Sequence, residues 1–263
     1  MIKLCDSHLH IGDYNEISKI LDTSIYRDKY KVYSCIEKKV LLDQEKYVST
    51  LEGFFAIPHV FKEIDVKKNN KYILDYCRNN KNGVPVLLIE NNDSFTGNYE
   101  TKILKEHFLL NRYDDYKKRR LFYDYLSENN GYLLVHCKDK IRVEYINCLL
   151  NNFPNMNIIV AHLGRDVYED SFFINNVLDN FKSNDRVLFD ISTIHNIDNI
   201  KNSINTVGNE RIMYGSDFPF EIRNYESYKK SIELILDSFD YRTSERLLSG
   251  NFERIRKKVY VRK

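Results

Sequence analysis

Short apolar runs separated by longer amphipathic stretches recur from one end of the chain to the other, the pattern of strands alternating with helices about a parallel sheet. Eight runs read as strands: Ile2 to Cys5, Val32 to Ile36, Phe54 to Ile57, Ile103 to Leu104, Tyr132 to Val135, Ile158 to Ala161, Val187 to Ile191 and Ile212 to Tyr214. Between them, apolar residues fall at helical spacing. Leu121, Phe122, Tyr125 and Leu126 form one stripe, stopped by Asn130-Gly131, and Val143, Ile146, Leu149, Leu150 and Phe153 form a second, closed by Pro154. A third stripe runs through Phe172, Phe173, Val177, Leu178 and Phe181, and a fourth through Ile232, Ile235, Leu236 and Phe239.

Eight strands interleaved with helices in 263 residues predict an α/β fold of the (β/α)8 TIM-barrel type, as a single domain over 1–263. An open doubly wound sheet matches less well, because no glycine-rich dinucleotide loop follows the first run. One further apolar run, Val84 to Ile89, reads together with Glu90 to Thr101 as an insertion at about 84–101, ahead of the fourth strand.

Composition narrows the partners. Hydrophobic residues at 43% and charged residues at 30% can build a full core and argue against large-scale disorder. Forty basic residues against thirty-eight acidic ones leave a formal charge of +2, with the signs interspersed, so no nucleic-acid footprint is expected. The short runs Lys117-Lys118-Arg119-Arg120 and Arg256-Lys257-Lys258 read as solvated helix faces. Five scattered cysteines without a CxxC pair read as reduced thiols. No secretory signal is recognisable and no apolar run approaches the ~20 residues of a membrane span, so a cytoplasmic protein with no membrane partner is expected. Its tyrosine-rich surface suits a monomer or a homodimer.

The chemistry lies in the histidines. In "CDSHLHIGD" the alternation of a strand puts His8 and His10 on one face, their Cα atoms ~7 Å apart, close enough for two imidazoles to share an ion. His59 follows the third run, His107 closes the fourth, His136 and His162 end "GYLLVH" and "NIIVAH", and His195 follows the seventh. Asp217 comes after the eighth, in "RIMYGSDFPF". A barrel assembles its active site at the C-terminal ends of its strands, and there every histidine falls. Core histidines satisfied by backbone groups account for one or two such placements but not for seven.

Taken together, "DSHLH" at 6–10, "VHC" at 135–137, "AHLG" at 161–164, "GSDFP" at 215–219 and "LLSGNFERI" at 247–255 resemble the metal-dependent amidohydrolase superfamily. The closest likeness is to the amidohydrolase-related branch that includes aminocarboxymuconate semialdehyde decarboxylase. The resemblance implies that His8, His10, His136 and Asp217 bind one divalent metal per chain, most often Zn2+, and that His162 orients or deprotonates the attacking water. It also implies an acid/base role for Asp217. The donor types agree with zinc chemistry, which takes imidazole nitrogen and carboxylate oxygen and lowers the pKa of water toward ~7. Two-metal members carry a bridging carboxylated lysine or glutamate on the fourth strand, where this chain has "ILKEHF". Alternation puts Lys105 and His107 on one face and Glu106 on the other. A similarity to a Gly-x-Lys-x-His segment implies that Lys105 and His107 shape the substrate pocket, while a second metal, with His162 as a ligand, stays open. Arg165 and Arg112 are candidates to hold a substrate carboxylate or phosphate through the guanidinium fork. Asp190 and Ser192 could line the pocket, with His59 and His195 at its rim.

The expected function is therefore a metal-dependent hydrolase acting through activated water on a small amide, ester or lactone. The alternatives are a non-oxidative decarboxylase of a small carboxylate using the same site, a TatD-type phosphoesterase requiring a fourth-strand glutamate for its second metal, and a catalytically silent binding module.

Overall fold

The structure, a computed structural model, describes residues 2–13, 38–90, 99–136, 142–165, 171–220, 222 and 224–260. Strand β1 (Cys5–Ile11) pairs in parallel with β2 (Gly53–Pro58), and β2 with β3 (Gly83–Pro85). A second parallel ladder runs β4 (Leu87–Leu88), β5 (Ile103–His107), β6 (Tyr132–His136), β7 (Asn157–Val160), β8 (Val187–Asp190) and β9 (Ile212–Met213).

Two seams join the ladders. Only Val86 separates β3 from β4; its N–H donates to the Ala56 carbonyl (2.9 Å), and the Ile89 N–H donates to Lys105 (3.0 Å), so residues 83–89 act as one stave. On the other side, the Ser7 N–H donates to Tyr214 (2.9 Å), the Asp217 N–H to His8 (2.8 Å) and the His10 N–H to Phe218 (2.9 Å), tying the last strand to the first. Counting 83–89 once, the described residues supply eight staves in sequence order.

This corrects one expectation. Val84 to Ile89 opens no insertion: it is the third stave, buried throughout and paired on both sides. An apolar run covered on both faces is what a parallel strand requires. Residues 91–98 of the expected insertion, and the strand expected at Val32 to Ile36, lie outside the described residues. The first strand also differs, beginning at Cys5 and extending to Ile11, so that Asp6, His8 and His10 lie within it. Partners inside the barrel make that polar strand possible.

Around the sheet lie α1 (Lys38–Val48), α2 (Val66–Asn79), α3 (Arg120–Glu128), α4 (Arg142–Asn152), α5 (Ser171–Phe181), α6 (Ile197–Val207), α7 (Tyr225–Ser238), the short α8 (Tyr241–Glu245) and α9 (Asn251–Val259). The expected stripes are largely buried, although Leu121, Phe172 and Leu236 are exposed. None of these helices is long and apolar enough to cross a membrane.

The two ends of the barrel differ. Its lower interior is apolar, with Cys5, Phe55, Val84, Ile103, Leu134, Ile159, Leu188 and Met213 packed against Phe252, Ile255 and Val259 of α9, which closes the N-terminal end. Asn251 pins that helix by donating to the carbonyls of Asn209 (2.6 Å) and Ile212 (2.7 Å). The motif "LLSGNFERI" therefore includes a structural clasp.

Strand β5 sorts its charges by face. Ile103 belongs to the inner cluster and Leu104 to the outer one, so Lys105 points inward and Glu106 outward. Beneath α3 and α4, Glu106 accepts from Arg119 Nε (2.5 Å), from the Tyr145 hydroxyl (2.5 Å) and from that of Tyr123. Arg119 is fully buried rather than solvated, contrary to the reading of its run, because Glu106 needs a counter-ion there. Removing one member of a buried ion pair strands the other. Arg119→Met is expected to lower the unfolding free energy by about 3–5 kcal/mol, read as a fall in the urea midpoint. An unmoved midpoint would mean that the two tyrosines alone suffice to hold the carboxylate.

Candidate active site

The top of β1 places His8 and His10 side by side, and the seam with β9 brings Asp217 across from both. His8 Nε2 lies 3.5 Å and His10 Nε2 3.3 Å from the same oxygen, Asp217 Oδ1. Each imidazole is held from behind. His8 Nδ1–H donates to Asp190 Oδ2 (2.9 Å) and His10 Nδ1–H to the Pro58 carbonyl (2.8 Å), which leaves both Nε2 atoms as acceptors on the side of Asp217. The close approach of β9 to β1 needs Gly215, where a Cβ would stand 2.7 Å from the His8 Cβ.

Asp6 ties this arrangement together. Its carboxylate accepts from the backbone of His8 (2.8 Å) and Ser216 (3.0 Å) and from the hydroxyls of Ser216 (2.5 Å) and Tyr47 (2.5 Å). Burial pushes its pKa up, and the hydrogen bonds from Ser216, Tyr47 and His8 oppose that. The sequence reading assigned Asp6 no role. No local signal marked it: the pairing of β1 with β2 shifts register between Asp6 and Leu9, so the alternation that joins His8 to His10 does not carry through to Asp6, which turns to Tyr47 outside the barrel.

A chain of hydrogen bonds extends the site over the neighbouring strands. His136 Nδ1 and His162 Nε2 are 3.3 Å apart, His162 Nδ1 meets the Ser192 hydroxyl (2.8 Å), and that hydroxyl donates to Asp190, the partner of His8. Successive ring centroids from His10 through His8, His162 and His136 to His107 are 5.3, 4.8, 4.5 and 4.5 Å apart. Burial holds all five pKa values well below the ordinary histidine value, and the Lys105 ammonium adds to this at His8, His10, His136 and His107. Asp217, His162 and Thr193 adopt positive φ (52°, 56° and 64°), strained for residues with a Cβ, and all three lie at this face.

Lys105 is fully buried among these groups, its Nζ 2.8 Å from His8 Nε2. Burial pulls its pKa down to about 8, against the opposing pull of Asp217 and Asp190. Arg165 sits just beyond, its Nε donating to Thr193 Oγ1 (2.6 Å), and its charge reaches His136 and His162.

Two sets of donors converge closely enough to hold a metal ion, with ligand atoms within 4.8 Å of one another: His8, His10 and Asp217, and His8, His162 and Asp190. The first set leaves the bond from His8 to Asp190 intact, and an ion there would take the place of the Lys105 ammonium at His8 Nε2. His136, expected as a ligand, stands outside both sets, its Nδ1 3.3 Å from His162 Nε2. His107 contacts His136, and its Nδ1 accepts from the Leu109 N–H (3.2 Å). Arg112 is exposed, and its carbonyl accepts from Arg119 (3.0 Å). His195 is exposed, whereas His59 is buried beside His10, their ring centroids 5.9 Å apart.

The profile of the family described as Amidohydrolase matches residues 102–255, more than half of the chain. Among solved structures, the chain is similar to amidohydrolase 2 from Bifidobacterium longum subsp. infantis, with TM-score 0.72 and 15% identity over 98% of this chain and 100% of that one. It is also similar to 5-carboxyvanillate decarboxylase from Novosphingobium aromaticivorans, solved with manganese and 4-hydroxy-3-methoxy-5-nitrobenzoic acid (TM-score 0.72, 12% identity, 97% and 96% covered). A third is an amidohydrolase from Burkholderia multivorans with bound zinc (TM-score 0.71, 12% identity, 97% and 99% covered). No curated protein matches the chain in sequence. At such identities the likenesses establish the barrel fold.

Asp6→Asn replaces one acceptor oxygen with a donor and leaves a buried hydroxyl of Tyr47 or Ser216 without its partner. The expected cost is about 1–3 kcal/mol, measured by thermal unfolding. A variant as stable as the wild type would show that Asp6 does not hold the seam.

Proposed function

The chain belongs to the amidohydrolase family, and from that premise we propose that this enzyme is a metal-dependent hydrolase of a small carbonyl substrate. What carries the reading is the convergence of His8 Nε2 and His10 Nε2 on one oxygen of Asp217, each ring fixed from behind by an acceptor on Nδ1. Such outer partners are what metal-binding histidines have, and two imidazoles with a carboxylate suit zinc or manganese. His8, His10 and Asp217 would hold the ion. His136 is a further candidate ligand on the resemblance of its motif alone. Zinc is our assignment, one ion per chain, with manganese the alternative; the Burkholderia and Novosphingobium structures contain one of each. A divalent ion there would supply Lewis acidity to a substrate oxygen and make water a better nucleophile.

The protein's own groups do the rest. Asp217, partly accessible, takes the proton of the attacking water. His162, steadied by Ser192, passes a proton along the chain toward His136. Lys105 and Arg165 place positive charge beside the reacting group, where they can hold a substrate carboxylate, with His107 next to His136 on the same face and the exposed Arg112 a further candidate.

That paired cationic charge also favours a second reading, non-oxidative decarboxylation of a small carboxylate at the same site. The phosphoesterase reading lacks such support, since Glu106 faces the opposite side of β5 and is bound by Arg119.

Mass spectrometry of the purified protein is expected to find about one zinc or manganese per chain, lost in a His8→Ala/His10→Ala variant. Asp190→Asn, which loosens His8, is expected to weaken metal affinity about 10–100-fold. No metal in the wild type after reconstitution would sink the proposal. Asp217→Asn is expected to lower kcat by about 10²–10⁴-fold on whichever member of an amide, ester, lactone and aromatic carboxylate panel is turned over. Carbon dioxide release without uptake of oxygen from labelled water would select the decarboxylase.

A further inference from the structure

His59 follows β2 at the top of the barrel and is buried, 1% exposed. Neither its Nδ1 nor its Nε2 has a hydrogen-bond partner among the described residues. The other histidines of this face each have one: His8 has Asp190, His10 has Pro58, His107 has Leu109, and His136 and His162 have each other. Both imidazole nitrogens seek partners in any protonation state, and buried polar side chains without one are uncommon in folded proteins. A phenylalanine or leucine would fill the same space without two unpaired atoms. The residue is explained by a group that arrives from outside the chain.

The surroundings indicate what kind of group. Phe220 stands edge-on to His59, centroids 5.3 Å apart, and edge-on to His10 at 4.8 Å. The ring of Phe61 is parallel to that of His59 within 3°, at 6.3 Å. His59 is thus one polar point in an aromatic wall that begins at a candidate metal ligand. Such walls favour flat unsaturated rings over aliphatic chains. A buried donor and acceptor within the wall favours rings bearing a hydrogen-bonding oxygen, because a ring without one leaves the imidazole unpaired.

We propose that His59 is a substrate-binding residue that hydrogen-bonds an oxygen substituent on a planar, unsaturated substrate whose reacting end lies at His8, His10 and Asp217. This rests on the reading of that face as the active site.

The test uses the metal-loaded enzyme, with 2-hydroxybenzoate and 2-methylbenzoate as probes in titration calorimetry. The wild type is expected to bind the hydroxybenzoate about tenfold more tightly. His59→Phe should reduce that preference to within about twofold, and His59→Gln, which keeps a donor and an acceptor, should retain most of it. Free of ligand, His59→Phe should melt at or above the wild-type temperature, since it removes two unpaired atoms. The proposal is overturned if the wild type shows no preference, if neither benzoate binds, if His59→Phe keeps the preference, or if that variant melts several degrees lower. The metal content of the same preparations separates two kinds of failure. A protein holding about one ion per chain without a His59 effect loses this inference alone, whereas one holding none loses the active-site reading beneath it.

Discussion

The seam between the last strand and the first is the constraint on which the site depends. Where β9 runs into Gly215, Ser216 and Asp217, the Asp217 N–H reaches the His8 carbonyl, and Asp6 gathers both backbones and two hydroxyls onto one carboxylate. Closing the sheet in this register sets Asp217 opposite His8 and His10. A side chain at position 215 would push the strands apart at His8. The positive φ of Asp217 then aims its carboxylate across the seam, a strain that the surrounding hydrogen bonds hold in place.

Burying so many polar groups at one end of a barrel is costly unless each finds a partner. The protein meets this by sorting. Apolar residues and α9 fill the N-terminal half, and the imidazoles, Lys105, Asp190 and Ser192 share hydrogen bonds in the other. On β5 alternation sends a lysine inward to the histidines and a glutamate outward to Arg119, so opposite charges one residue apart lie on opposite faces of the sheet. His59, just after β2, stands apart from this, with neither nitrogen paired among the described residues and aromatic rings around it.

The arrangement also bears on metal number. One close set of donors is fixed from behind by Asp190 and the Pro58 carbonyl, whereas the second set would have to take Asp190 away from His8. The proposed single ion, with the Lys105 and Arg165 cations nearby, leaves the Asp190 bond to His8 in place. On the proposed reading the same layout would serve either attack by water or loss of a carboxylate, and the substrate admitted would decide between them.

The sequence by itself determined what is local. Alternation of apolar and amphipathic segments predicted the barrel, the spacing of His8 and His10 put both on one face, and the same rule divided Lys105 from Glu106. Motif order pointed to the family and to Asp217. Tertiary structure decided what depends on partners distant in sequence. Asp190 was legible as a pocket-lining residue at the end of the seventh run, but its bond to His8, 182 positions away, leaves no local trace. Val84 to Ile89 became a stave because β2 and β5 were both free to pair with it, which no period within the run could reveal. Arg119 sits in a basic run that reads as solvent-facing and is buried because Glu106 waits beneath it. His136 carries the right motif yet stands one ring beyond the closest donors, since distances within a site follow from how strands are staggered and which neighbour claims each nitrogen.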